Sequence, residues 1–344
     1  LEMTWRGDKI VDISRDFLNT NGVTQHATAS IAPIDESKNY LHTVPAELQG
    51  LSLSAALKAN LRRLEVCSQK GLVERFDSSI GAATVNMPYA GVYQLTPEEA
   101  MVAKLPLEHG QTDDATVMAY GFIPGVSRWS PFHSAAFAVT ESLAKLAAVG
   151  CDPAEARLTF QEYFERLGNK PERWGKPFSA LLGTVDAQLE LGAAAIGGKD
   201  SMSGTYDDMH VPPTLVSFAI APEEADNLVS PEFKQAGHPV YFLDATYFMD
   251  GSPDYAAIRN TWETVQALIA RGKVAASWAL SAGGIAEGIV KMSVGNDIGF
   301  TFAPTFTPDG LFLKNYGGIL IEATEELENM PLWLIGMTTD KPEI

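Results

Sequence analysis

The sequence predicts two domains, an α+β domain followed by an α/β domain. Three observations carry this. The chain has 344 residues, long for one compact core and comfortable for two. Its first two thirds interleave short apolar strands with long helices, until an acidic, turn-forming stretch at 221–237 breaks the pattern with Pro222, Glu223, Glu224, Asp226 and Pro231. A second strand–helix–strand series then begins, as expected of a separately layered unit. The expected division is an N-terminal extension over 1–50, a first domain over 51–224 and a second over 225–344.

Residues 1–50 are polar and turn-rich, which predicts a surface linker with a short helix over 11–17. From Ser52 the pattern becomes regular. Leu53, Leu57, Leu61 and Leu64 recur at helical spacing, with Ser52 or Ser54 as N-cap. Residues 81–88 read as a strand closed by Pro88, and 116–120 as a short apolar strand. The clearest helix spans 135–148: Ala136, Val139, Leu143, Leu146 and Ala147 form one stripe, and Gly150 stands where a C-terminal cap belongs. A second long helix is expected over 178–191, followed by 193–196 running into Gly197-Gly198-Lys199-Asp200-Ser201. Thr214, Val216, Phe218 and Ile220 alternate as in a strand with one buried face. In the second domain strands are expected at 239–243, 273–280 and 318–321, with helices over 255–270 and from Ser281-Ala282-Gly283-Gly284 to Met292. No internal repeat is visible.

Lys and Arg total 25 against 43 Asp and Glu, a formal net charge of −18. A nucleic-acid backbone needs a basic stripe, so no nucleic-acid partner is expected. With 46% hydrophobic and 20% charged residues the chain is globular in composition. Cys67 and Cys151 stand 84 positions apart without a CxxC, and the six histidines show no ligand spacing. That predicts neither a disulfide framework nor a zinc site, and points to a reducing, cytoplasmic compartment. No run approaches the ~20 apolar residues that span a bilayer, and residues 1–5 lack a signal core, so no membrane partner is expected. Leu1 and Glu2 ahead of Met3 read as a chain entered mid-stream, hence as a piece of a longer one.

Few segments could carry chemistry. In 197–203, two glycines allow close backbone approach and consecutive N–H groups can cradle an anion. Lys199 offers a point charge for phosphate, Asp200 a hard oxygen for Mg²⁺ and Ser201 a hydroxyl. The GxxxxGK spacing of a phosphate-binding loop is absent, and an ordinary strand-to-loop turn accounts for the same residues. Ser281–Gly284 is a second helix start that could meet an anion, or a small-residue turn packed on a sheet. Glu141 and Lys145, four apart, read as an ion pair on the polar face of their helix. Asp113 and Asp114 read as solvated acids, and His133 as a structural residue.

Four segments in register carry a resemblance. Residues 65–81 are similar to a segment that follows the inter-half helix of phosphoribosylformylglycinamidine synthase, and 139–148 resembles that family's helix with Glu and Asn four apart. Gly198-Lys199-Asp200-Ser201-Met202-Ser203 is similar to its GKDSMS loop, and Ser281-Ala282-Gly283-Gly284-Ile285 to its SDGG-type helix start. The order holds from about 51 to about 323.

The resemblance implies the aminoimidazole-ribonucleotide-synthetase-like architecture: an N-terminal half-barrel α+β domain and a C-terminal α/β domain. It implies the second half of the synthase region of a large single-chain, glutamine-dependent ligase. That enzyme uses ATP and Mg²⁺ to convert formylglycinamide ribonucleotide to formylglycinamidine ribonucleotide. Its catalytic histidine and its glutaminase cysteine would lie outside this chain, so no catalytic residue is expected here. Gly197, Gly198, Lys199, Asp200 and Ser201 would help hold nucleotide or substrate. Glu141 matches a Mg²⁺ ligand of an auxiliary nucleotide site, but Lys145 stands where Asn is expected and Ala282 where Asp is expected. A further expected Asp has no match near 120–123, so that site is expected to be weak or lost. The implied partners are the first synthase half and a glutaminase domain, and an isolated piece is expected to self-associate through an exposed apolar sheet face.

Overall fold

Residues 131–149 carry one carboxylate and one ammonium among mostly small, aliphatic and aromatic side chains, and they form a helix buried on nearly every side. The rest of the chain is layered around it. A computed structural model describes residues 1–20, 22, 26–76, 83–306, 310–327, 330 and 332–344.

A hairpin of β1 (Glu2–Trp5) and β2 (Asp8–Asp12) leads to α1 (Arg15–Thr20). Next come α2 (Leu53–Asn60), α3 (Lys70–Val73) and a small hairpin, β3 (Tyr89–Ala90) with β4 (Thr96–Pro97). The first unit continues with β5 (Met101–Lys104), β6 (Asp114–Gly121), α4 (Pro124–Trp129), α5 (Pro131–Val149), β7 (Arg157–Tyr163), α6 (Pro171–Leu191) and β8 (Ala194–Ser201). It closes with the hairpin β9 (Thr205–Tyr206) and β10 (Met209–His210), then β11 (Thr214–Glu224). The second unit contains β12 (Pro239–Leu243), α7 (Tyr255–Ala270), β13 (Val274–Ala279), α8 (Gly284–Val294), β14 (Gly299–Phe302), β15 (Ile319–Ala323) and β16 (Trp333–Thr339).

Two five-stranded sheets result, ordered β5-β6-β11-β7-β8 and β13-β15-β12-β16-β14. The first is antiparallel except for its edge pair β7/β8, and the second is antiparallel throughout its described pairings. Helix α5 lies between the sheets, packed on β6 and β11 to one side and on β13 and α7 to the other. One apolar cluster therefore runs from Val117 and Ala219 through Leu143 and Leu146 to Ile319 and Ile321. A second cluster joins α8 to the far face of the second sheet through Ile289, Met292, Trp278 and Leu320. Ser130 caps α5 by accepting from the His133 N–H, Pro131 starts it, and Gly150 ends it at φ +109°, where a glycine carries no Cβ penalty.

Several sequence expectations need correction. Val11 lies in a strand, and the helix in this region is α1, beginning at Arg15. Helix α2 stops at Asn60, so Leu61 and Leu64 leave the predicted stripe; Leu53 and Leu64 are exposed, while Ala56 and Asn60 face inward. Residues 81 and 82 lie outside the described residues. The rest of that expected strand amounts to a bridge of Thr84 to Ala103, backed by the Val85 N–H donating to Val102. In β11 the buried face is the opposite one, Leu215, Ser217, Ala219 and Ala221. Its small side chains let α5 approach, and the larger Val216, Phe218 and Ile220 point away. Helix α6 starts two turns before the expected position, at Pro171.

Gly121 shows how close that approach is, since a Cβ there would land on the Ala138 carbonyl of α5. Gly121→Ala is expected to cost about 1–3 kcal/mol or more by overpacking, read as a lower urea midpoint. A wild-type midpoint would contradict this packing.

Candidate functional site

The residues singled out by sequence gather on one edge strand. Gly197 to Ser201 are not a loop: they are the last five residues of β8, paired in parallel with β7, and neither glycine takes a left-handed φ. Consecutive N–H groups in a strand point in alternate directions, so the expected anion cradle does not form. Gly198 is explained by packing, because a Cβ there would meet the Phe160 backbone of β7.

Strand alternation also divides the side chains. Register places Gly197 beside Thr159, Lys199 beside Gln161 and Ser201 beside Tyr163. These continue across the sheet to Phe218 and Tyr120, to Val216 and to Thr214. This is the face turned away from α5. Lys199 lies over the Tyr163 ring, Nζ 5.4 Å from its centroid, and Ser201 Oγ is 3.0 Å from Ser203 Oγ. The face is apolar and open: Tyr120 is 56% exposed, and Met101, Met118, Phe122 and Ile220 are exposed beside it.

Asp200 and its neighbour Glu162 point to the helix side instead. They border a cleft of about 750 Å³ between the sheet edge and α6, lined also by Phe160, Trp174, Phe178 and Met202. Burial, and then the charge of Asp200, pushes the Glu162 carboxyl up to about 7. Sequence reasoning missed Glu162; the only local signal was an acid near the end of a strand whose one other charge is Arg157.

Glu141 occupies a third place, the seam between the two units. The pair is not on a solvated face: both side chains are largely buried, with Lys145 Nζ 3.1 Å from Glu141 Oε1. Glu141 Oε2 accepts from the Phe122 N–H at 2.9 Å, and Lys145 donates to the Tyr120 carbonyl at 2.9 Å. Burial works against the Lys145 ammonium, but Glu141, Tyr120 and Glu99 hold its pKa above the ordinary value. The Ser281–Gly284 turn likewise has its own anion. Glu287 Oε2 accepts from Ser281 Oγ at 2.7 Å and from the Gly283 N–H at 2.8 Å, and Lys291 holds the other oxygen at 2.5 Å. Asn60 and Arg63 brace the turn by donating to the Gly283 and Ala282 carbonyls at 3.0 and 3.1 Å. Of the remaining sequence candidates, Asp113 pairs with Lys104 and Asp114 accepts from Thr112. His133 is buried with Nδ1 2.8 Å from Ser130 Oγ. Among the described residues no group of three or more His, Cys, Asp or Glu is placed to hold a metal, and no helix is long and apolar enough to cross a membrane. Cys67 and Cys151 are free thiols.

Two layered units sharing a central helix, with one sheet face left open, form a fold that this chain shares with solved PurL structures. Thermotoga maritima PurL complexed with ATP superposes at TM-score 0.63, with 15% identity, 98% of this chain and 48% of that chain covered. PurLQS from the same organism gives 0.65 at 15% identity with the same coverage. In sequence, the chain is similar to phosphoribosylformylglycinamidine synthase subunit PurL of several organisms. It is 23% identical to that of Thermococcus sibiricus over 349 residues, 94% of this chain and 45% of the relative. It is 24% identical to that of Methanosarcina barkeri over 312 residues, 84% and 40%. The chain thus spans less than half the length of these curated relatives. No family model matches the sequence.

The seam makes a testable prediction through Glu99, which is fully buried between Glu141, Lys145 and Glu287 and accepts from the Ala279 N–H at 3.3 Å. Burial raises its carboxyl from 4.5 to about 8. Between those values the folded chain keeps a proton that the unfolded chain has lost, so stability falls as pH rises through that window. Glu99→Gln removes this contribution. Urea unfolding at pH 5.5 and 8.5 is expected to show the wild type losing more stability than the variant, by on the order of a few kcal/mol. Equal losses would contradict the burial of this acid.

Proposed function

We propose that this chain is the second half of the synthase region of a phosphoribosylformylglycinamidine synthase. With the first half and a glutaminase it would form an ATP-dependent ligase that turns formylglycinamide ribonucleotide into formylglycinamidine ribonucleotide, in the cytoplasm. ATP phosphorylates the amide oxygen and ammonia displaces that phosphate; the piece alone completes no cycle. Solved T. maritima relatives were complexed with ATP, ADP and FGAR, which supports the ligand classes.

The observation that carries the reading is the position of Lys199 and Ser201 at the rim of an open apolar sheet face. A second half-barrel closing on that face would exclude water around them, and a Lys ammonium in such a setting is a strong partner for a phosphoryl group. Gly197 lies in the same row with no side chain to obstruct a ligand. Asp200 and Gly198 face the other side of the strand and have no part in that contact.

Mg²⁺ at Glu141 does not fit the residues present. Both of its oxygens are engaged, one by an ammonium, and a divalent cation needs six or more oxygen donors, including several carboxylates or waters. We assign the Glu141–Lys145 pair to the packing of the seam.

The competing reading is a scaffold half that only completes the barrel. In the assembled synthase, Lys199→Ala is expected to lower kcat/KM for formylglycinamide ribonucleotide at least tenfold without moving the melting temperature, and Ser201→Ala is expected to lower it less. Unchanged turnover in both variants would favour the scaffold.

A further inference from the structure

The cleft on the helix side of β8 has Gly197 and Lys199 of the synthase reading at its border, but its two acids and its aromatic wall have no part in that reading. Its volume of about 750 Å³ suits a drug-sized or nucleoside-sized molecule. One wall is aromatic and aliphatic: Phe160, Trp174, Phe178 and Met202. The Trp174 indole N–H is already satisfied by the Gly168 carbonyl at 2.8 Å, which fixes the ring. Ala27 and Ala29 close the far side, in a segment held to α6 by the Ser30 N–H donating to Pro171 at 2.9 Å.

The other wall is charged and uncompensated. Glu162 and Asp200 sit opposite each other on neighbouring parallel strands, whose backbones run about 4.8 Å apart. Among the described residues neither carboxylate has a hydrogen bond or an ion pair, and none of the undescribed residues is Lys, Arg or His. The cations nearby are engaged elsewhere. Arg173 and Lys176 of α6 both bind Glu165, at 3.0 and 2.5 Å, and Lys199, which borders the cleft, carries its ammonium over the Tyr163 ring. Glu162 is half-buried and Asp200 exposed at the cleft mouth; two like charges this close without a counter-ion are unfavourable, and the repulsion is relieved by a ligand that brings its own positive charge.

We propose that this cleft binds a flat organic cation, an amidinium or a ring-borne amine, with its charged nitrogens between Glu162 and Asp200 and its ring against Trp174 and Phe178. A bare divalent ion fits poorly, because two carboxylates amid aromatic carbon cannot supply the oxygen shell it requires. A planar cation with several N–H donors reaches both acids while covering apolar surface.

Benzamidinium is the probe, titrated into the whole chain by calorimetry, with neutral benzamide as its isostere. Saturable benzamidinium binding is expected. It should weaken at least tenfold in the double variant Glu162→Gln, Asp200→Asn and severalfold in Phe178→Ala, a half-exposed position whose truncation spares the core. Glu172→Gln, an exposed acid on the same helix, should leave it unchanged. Equal binding of benzamide, no loss in the double variant, or saturation of the two acids by Mg²⁺ alone in competition with the probe would each overturn the proposal. None of these readouts needs the first synthase half, so they stand apart from the test of turnover.

Discussion

Burial of α5 between two sheets is the constraint on which the molecule depends. A helix apolar all round cannot sit on a surface, so both sheets must cover it, and each presents small side chains where it does. Ala119, Ala219 and Gly121 on one side, and Ala279 on the other, let the backbones come close. Three buried serines of this layer are satisfied locally. Ser142 pairs with Ser217 across to β11 at 2.9 Å, and Ser277 of β13 donates to the Ala148 carbonyl at the end of α5. The only opposite charges on the helix are four residues apart and are bound to each other, an arrangement in which removing one partner strands a buried charge.

The open sheet face follows from the same packing. Since the small faces of β6 and β11 are consumed by α5, the large side chains of those strands, Met118, Tyr120, Phe218 and Ile220, turn outward. A contiguous apolar sheet face of this kind marks an interaction surface. It also gives the edge strand β8 two environments, a rim with Lys199 and Ser201, and a helix-side cleft with Asp200. A motif that reads as one converging loop in sequence is, in three dimensions, two sets of side chains back to back on one strand.

What was legible in the sequence was whatever local chemistry decides. The Gly150 cap, the Ala- and Leu-rich stripe of α5, the end of α6 at Leu191 and, in the second unit, β12, α7, β13, α8 and β15 announce themselves within a few residues, whereas β14 and β16 are not predicted from the sequence. What was hidden depends on distant partners. Both faces of β11 are apolar, so alternation alone cannot say which is buried; the helix it meets decides. The Leu53 stripe fails because Asn60 and Arg63 are recruited by carbonyls some 220 positions away, which ends the helix. Glu162, Glu99 and Glu287 draw their meaning from neighbours on other elements. Gly197–Ser201 becomes a strand only because β7 lies alongside.

The central claim, that the outer face of the first sheet is an interface awaiting its other half, is tested most directly by sedimentation velocity of the isolated chain over a wide concentration range, alongside Met118→Glu. Met118 lies in the middle of that face, in register with Met101 and Ile220. The account predicts a sedimentation coefficient that rises with concentration in the wild type and stays at the monomer value in the variant, with both melting at the same temperature. A monomer at every concentration, identical in the two proteins, would contradict it.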